Sequence, residues 1–250
     1  MTSPADREFF DARWPELREL LETRGPGAVV ARIAEFPARE RSVLYRYARI
    51  GIALGDWEGK DLDAYVQVAD AGIEWHVARA RAGGDEARVM LDGANVMSFN
   101  LAADLADCWP GDDVERRRSH FERGRRAGED CVAWREELDK PASSRQLGHW
   151  ALGYHRLRLG DASGARTSFA AAVGYSAADA DADAEGPSFA FVVNSGYEAI
   201  AAMAAGDEGA RVAYGEAIAA FEAQLGDEST AEDARFGIDQ LERVRGLVIT

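Results

Sequence analysis

The sequence has 250 residues, 47% of them hydrophobic and 29% charged, and its 29 Lys and Arg against 44 Asp and Glu give a net charge of −15 at pH 7. This balance is typical of a folded globular chain and excludes a disordered polar segment. Because an acidic chain repels phosphate groups, we predict no nucleic acid and no anionic membrane surface as a partner.

Ten to eleven helices follow one another along the chain, because apolar residues recur at helical spacing and no convincing strand interrupts them. Pro15 is a candidate break in the first helix, since proline removes a helical hydrogen bond. The segments expected to be helical are 4–24, a short stretch between Pro26 and Pro37, 38–54, 62–82, 86–109, 113–138, 143–159, 162–175, 187–205, 208–225 and 230–247.

The dipeptide Gly-Asp occurs six times, at residues 55, 84, 111, 160, 206 and 226, and it separates most of these helices. A glycine in the left-handed conformation ends one helix, and the aspartate that follows accepts hydrogen bonds from the free N–H groups that open the next. Most connections have two to five residues, which predicts antiparallel packing of neighbouring helices.

We expect one helical-repeat domain over residues 1–250. Its parts are N-terminal capping helices (1–36), central helix pairs (38–175), an acidic loop (176–186) and C-terminal helices (187–250). The alternating acids of that loop are spaced as in a calcium loop, but Ala184 and Ala190 stand where the glycine and the closing glutamate belong, so an acidic linker is favoured. No stretch approaches 18 consecutive apolar residues and residues 1–8 lack a signal-peptide pattern, so a cytoplasmic protein is expected.

Residues 148–175 carry the most specific pattern, and residues 194–220 carry a weaker copy. In both, a Gly-Asp turn is followed by small, aromatic and small residues at spacings of four and three. The first copy also has a Leu-Gly in its first helix. The residues are Leu152, Gly153, Gly160, Asp161, Ala165, Phe169 and Ala172, and then Gly206, Asp207, Ala210, Tyr214 and Ala217.

This pattern resembles the tetratricopeptide repeat, although the spacing of the main turns, 46 to 56 residues, exceeds the roughly 34 of that family. The resemblance implies an all-α fold, a right-handed array of antiparallel helix pairs forming an α-solenoid. It also implies a scaffold that binds a protein or peptide in a groove lined by the first helix of each pair.

In three of the expected helix pairs, the first helix carries polar residues within apolar surroundings. These polar residues are the candidate binding surface. They are Asp92, Asn95, Asn100 and Asp104 in the helix 86–109, Arg145 and His149 in the helix 143–159, and Asn194, Tyr197 and Glu198 in the helix 187–205. A buried polar group needs a partner. For the helix 86–109, two interpretations stay open: an internal network with arginines of a neighbouring helix, or a ligand-binding cleft.

The sequence therefore favours a protein- or peptide-binding scaffold over an enzyme. No catalytic motif is present, the four histidines lack metal-ligand spacing, and no cofactor or metal is expected. The alternative is a small-molecule-binding protein or enzyme with a polar pocket around the helix 86–109. A second alternative is a structural homo-oligomer, with a homodimer formed through Phe9, Phe10 and Trp14. The two cysteines, Cys108 and Cys131, are expected to be buried and unreactive.

Overall fold

The structure is a computed structural model, and it describes residues 3–54, 61–178 and 187–249. In these residues there are eleven α-helices and no strand, which confirms the all-α prediction. The helices are α1 (Pro4–Arg24), α2 (Pro26–Ala34), α3 (Ala38–Ile52), α4 (Leu62–Arg81), α5 (Ala87–Leu105), α6 (Arg118–Glu137), α7 (Ala142–Arg158), α8 (Ala162–Ala178), α9 (Phe189–Ala204), α10 (Ala210–Glu222) and α11 (Ala231–Val248).

The chain forms two compact units, residues 1–104 and residues 105–250. Of the residues that the structure describes, none belongs to a helix long and apolar enough to cross a bilayer. The first Gly-Asp pair and the acid-rich stretch 179–186, with its calcium-loop spacing, lie outside the described residues.

The first unit begins with an aromatic cluster on α1. Phe10 is buried and stacks on Trp14 and Tyr47, with ring centroids 5.7 Å apart in each pair. A methyl group at Gly51 would lie 2.6 Å from the Trp14 ring, so this glycine lets the indole pack against α3. The aromatic residues considered above as a dimer interface therefore pack largely within their own unit. Helix α1 also continues through Pro15, so the candidate break is not present.

Helix α4 lies between α3 and α5, and Gly72 makes this close packing possible. A Cβ atom at Gly72 would lie 2.9 Å from Tyr45 Cβ on α3 and would overlap Met97 Cε on α5. Asp61 opens α4, because its carboxylate accepts a hydrogen bond from the Asp63 N–H at 2.8 Å. Both α3 and α5 therefore pack against α4.

In the second unit, α6, α7, α8 and α9 pack in sequence, and α9 also packs against α10 and α11. The spacing pattern at residues 148–175 places small and aromatic side chains in the core. Ala165, Phe169 and Ala172 are fully buried. A Cβ atom at Gly153 would lie 2.9 Å from the Phe169 ring, so the glycine lets this ring fill the space between α7 and α8. The ring then stacks on Tyr197 of α9 at 5.1 Å.

The Gly-Asp turns largely behave as predicted. Gly160 and Gly206 have φ values of 88° and 90°, in the left-handed region that favours glycine. The Asp161 carboxylate then accepts a hydrogen bond of 2.9 Å from the Gly164 N–H at the start of α8. Gly226 is an exception, since its φ is not positive.

The two largest differences from the predicted helix bounds lie on either side of residues 106–117, which belong to no helix. Helix α5 ends at Leu105 instead of residue 109, and α6 begins at Arg118 instead of residue 113. The Asp107 carboxylate accepts hydrogen bonds from the Tyr154 hydroxyl and, at 2.9–3.0 Å, from Arg158. The Asp112 carboxylate binds Arg116 at 2.6 Å. These ion pairs stabilise the segment between α5 and α6 in its non-helical conformation.

Candidate functional site

The first unit contains an open groove with a volume of about 850 Å³. Its walls are one face of α3 and one face of α5, and Asp6 of α1 lies at the side. Both walls show the spacing of three or four residues that places side chains on one face of a helix. The lining residues are Ala38, Arg39, Ser42, Val43, Arg46, Tyr47, Arg49 and Ile50 on the α3 side and Glu86, Val89, Met90, Asp92, Gly93, Val96 and Asn100 on the α5 side.

The α5 wall presents an exposed apolar stripe. Val89 is 67% exposed and Val96, two turns later, is 42% exposed. Asp92 and Asn100 lie on the same face, one turn after each valine, and also line the groove. An apolar stripe with interspersed polar groups is typical of a surface that binds another molecule.

The charges of the two walls are opposite. Arg39 and Arg46 lie on the α3 wall, whereas Glu86 and Asp92 lie on the α5 wall. Arg46 is half-buried; its Nη2 lies 4.0 Å from Asp6 Oδ2, and within the described part of the chain its buried Nε donates to no acceptor. The groove therefore offers cationic groups along one side and carboxylates along the other.

Ser42, which lines the groove, lies against the buried His76 of α4. Ser42 Oγ lies 2.8 Å from His76 Nε2, and His76 Nδ1 lies 2.7 Å from the carbonyl oxygen of Gly72. Burial, opposed by the Gly72 hydrogen bond and reinforced by the positive charge of Arg46, lowers the pKa of His76 to about 4. At neutral pH the imidazole is therefore uncharged.

The predicted residues of α5 divide between the two interpretations given above. Asp92 and Asn100 line the groove, as a ligand-binding cleft requires. Asn95 is buried and donates a hydrogen bond of 3.2 Å to Asp92. Asp104 is 7% exposed and binds Arg49 of α3 through two hydrogen bonds of 2.5 and 2.7 Å. An ion pair with one arginine thus lies at the C-terminal end of this helix, and an open groove lies along the rest of it.

The predicted residues of the second unit do not form one surface. Asn194 is 1% exposed and donates hydrogen bonds to Gln146 Oε1 at 2.9 Å and to Ser176 Oγ at 3.0 Å. Tyr197 is fully buried, and burial raises the pKa of its hydroxyl well above 10. Both side chains lie in the core, because the helices packed against α9 cover them. Neither side chain lines one of the two grooves. For these two residues the predicted binding role is therefore not supported by their position.

Three further predicted residues of the second unit are partly exposed. Arg145 binds the turn before α7, with hydrogen bonds of 2.7 Å to the Asp139 carboxylate and to the Lys140 carbonyl. His149 stacks on Tyr175 at 5.6 Å, and burial lowers its pKa. Glu198 lines a second, smaller groove of about 520 Å³, formed by α8, α9 and α10, in which alanine is the most frequent lining residue.

The sequence interpretation missed the α3 wall, including Arg39, Ser42 and Arg46. A signal was present, because residues 39, 42, 46 and 50 repeat the spacing of residues 89, 92, 96 and 100. Arginine on a surface helix is ordinarily solvated, so this spacing alone does not indicate a binding wall. His76 is one of the four histidines that lack metal-ligand spacing, and its contact with Ser42 joins residues 34 positions apart.

The described residues hold no cluster of three or more His, Cys, Asp or Glu side chains that could bind a metal ion. The two cysteines are buried, as predicted, and burial raises the pKa of Cys108 to about 12 and that of Cys131 to about 11. These thiols are therefore protonated at neutral pH and poor nucleophiles.

Comparison of the chain with known protein families, curated proteins and solved structures gives no match. The geometry of the two grooves is therefore the basis on which a function can be assigned.

Proposed function

We propose that this protein is a helical-repeat scaffold, similar to tetratricopeptide-repeat proteins, that binds a peptide segment of a partner protein in the groove between α3 and α5. The observation that carries the proposal is the lining of this groove: an exposed valine stripe on one wall, with arginines facing carboxylates across it. Its volume falls within the range of roughly 300–1,000 Å³ that is usual for ligand sites.

The arrangement of the helices supports the repeat interpretation. In the first unit, α3 and α5 are the helices that precede and follow α4, which is the relation between successive first helices in a tetratricopeptide array. In the second unit, Ala165, Phe169 and Ala172, whose spacing resembles that of the family, are buried. The right-handed sense of the array is part of this proposal.

The charges of the walls indicate the chemistry of the peptide. An apolar side chain would lie on Val89 and Val96, where it would remove exposed apolar surface from water. An acidic group would face Arg39 and Arg46, and a basic side chain would face Asp92. Interactions of opposite charge across such a groove fix the direction and register of the bound segment.

The proposal can be tested with a phage-displayed library of random nine-residue peptides selected on the wild-type protein. Synthetic copies of the enriched peptides are then titrated by isothermal titration calorimetry. We expect enriched sequences with one apolar residue between an acidic and a basic residue. We also expect Val89→Asp and Arg39→Glu to weaken binding at least tenfold, because the first places a charge in the apolar contact and the second reverses a wall charge.

Matched controls are available in the second unit. Val212 is 67% exposed, the same fraction as Val89, and Arg211 is exposed like Arg39. Val212→Asp and Arg211→Glu should leave the dissociation constant within twofold of wild type. Enriched peptides that bind Val89→Asp and wild type equally well would place binding outside this groove, and a library that yields no enriched sequence would contradict the proposal.

A further inference from the structure

The contact between Ser42 and His76 has a defined direction. The Gly72 carbonyl can only accept a hydrogen bond, so the proton of the neutral imidazole is on Nδ1, which lies 2.7 Å from that oxygen. Nε2 therefore carries the lone pair, and the Ser42 hydroxyl donates to it across 2.8 Å. A hydroxyl held in this way by a neutral imidazole is the arrangement by which a serine is activated as a nucleophile.

The two residues differ in exposure in a way that suits such a role. His76 is 1% exposed, and it is held by the Gly72 carbonyl, by the edge of the Trp75 ring and by Gly93. A Cβ atom at Gly93 would lie 2.6 Å from the imidazole Cδ2, so this glycine lets α5 close over the ring. Ser42 is partly exposed and lines the groove, where a substrate can reach its hydroxyl.

We propose that Ser42 is the nucleophile and His76 the general base of a site that hydrolyses carboxylic esters, with the Gly72 carbonyl orienting the imidazole. Arg46, one turn after Ser42, supplies the positive charge for the oxyanion. The site uses the groove described above, but its chemistry goes beyond peptide binding and does not require it.

The reaction balances with water as the only co-reactant. Ser42 Oγ bonds to the ester carbonyl carbon while its proton passes to His76 Nε2, and the oxyanion of the tetrahedral intermediate faces the Arg46 guanidinium. The intermediate collapses, the carbon–oxygen bond to the alcohol breaks, and the alcohol leaves with the proton from Nε2. Water then gives a proton to Nε2 while its oxygen bonds to the acyl carbon. The bond between the acyl carbon and Ser42 Oγ breaks, Oγ takes the proton from Nε2, and the carboxylic acid leaves.

Arg39 indicates the class of ester. It lies one turn before Ser42 on the same face of α3, on the opposite side of the serine from Arg46. A carboxylate in the acyl half of the substrate would bind the Arg39 guanidinium while the ester carbonyl lies at Ser42. The substrate class is therefore an ester whose acyl group carries a second, free carboxylate.

The first experiment is covalent labelling of the full chain with a small alkyl fluorophosphonate, in which Ser42 Oγ bonds to phosphorus and fluoride leaves. We expect a mass increase of one phosphonyl group, and peptide mapping should place it on Ser42. Ser42→Ala should take no label, whereas Ser119→Ala, which removes an exposed serine of α6, should label like wild type. His76→Gln keeps a polar group beside Ser42 but removes the basic nitrogen, so labelling should slow about 100-fold.

A second experiment follows the release of p-nitrophenolate from p-nitrophenyl hemisuccinate and from p-nitrophenyl acetate. Arg39→Gln should reduce kcat/KM about tenfold more for the hemisuccinate than for the acetate, while circular dichroism confirms that the variant is folded. An unlabelled Ser42 in the wild type, or His76→Gln labelling as fast as wild type, would overturn the proposal. The labelling reaction involves no peptide. A failure of the esterase proposal can therefore be distinguished from a failure of the peptide-binding proposal.

Discussion

The buried neutral His76 should make the stability of the protein depend on pH in a defined window. Its pKa is about 4 in the folded chain, against an ordinary value of 6.5. Because the folded-state pKa is lowered, the unfolded chain takes up a proton first as the pH falls. The contribution of His76 to stability is therefore complete above pH 6.5 and is lost as the pH falls from 6.5 to 4.

The size of the effect follows from this shift. Each pKa unit corresponds to roughly 1.4 kcal/mol, so the full loss is about 3 kcal/mol, of which about 2 kcal/mol is already lost at pH 5. The pH 5 value is the useful one, because most carboxylates are still ionised there. Arg46 of α3 is the charged group that faces the imidazole, and it adds to the effect of burial in the same direction.

The assay is urea unfolding of wild type and His76→Gln at pH 7 and pH 5, followed by circular dichroism and by tryptophan fluorescence. The glutamine variant cannot titrate, so its stability should fall by about 2 kcal/mol less than that of wild type between the two pH values. His149, whose pKa burial also lowers, is present in both proteins and cancels. A histidine NMR titration in which His76 takes up its proton above pH 6 would refute the reasoning.

Two further predictions compare residues of the same type in different positions. Asn194→Ala should lower the free energy of unfolding by about 2–3 kcal/mol, because it leaves buried hydrogen-bonding partners unsatisfied, whereas Asn100→Ala, in the groove wall, should change it by less than about 0.5 kcal/mol. Asp104→Asn should lower the free energy of unfolding by about 2 kcal/mol, because Asp104 is buried against Arg49. Asp11→Asn should lower it by less than about 0.5 kcal/mol, because Asp11 belongs to an ion pair whose side chains are half accessible to water. Urea denaturation measures all four values, and equal effects within either pair would contradict the assigned burial.

The positions of the helices were largely predictable, because local interactions determine them. The segment expected at 62–82 is the helix Leu62–Arg81, opened by the side chain of Asp61. The turn at Gly160 and Asp161 has the left-handed glycine and the capping carboxylate that the dipeptide predicts. Both features depend on residues within a few positions of one another, so the sequence contains the information directly.

The candidate site was predictable only in part. Polar residues within the apolar helix 86–109 are conspicuous in the sequence, and two of them, Asp92 and Asn100, do line the groove. The periodicity could not distinguish them from Asp104, which lies one turn after Asn100 but binds Arg49. The position of α3, about 50 residues earlier in the chain, determines which of these side chains is exposed to water and which binds an arginine.

The sequence by itself determined an acidic, all-α chain, the order of its helices, and the small and aromatic residues that pack them. Helical periodicity, capping and glycine turns are short-range properties, and they are present in the order of the residues. Only the tertiary structure decided that the exposed face of α3 meets that of α5, that Ser42 lies against His76, and that Asn194 is in the core. These contacts join residues far apart in the chain, and the packing of whole helices around glycines such as Gly72 and Gly93 sets them.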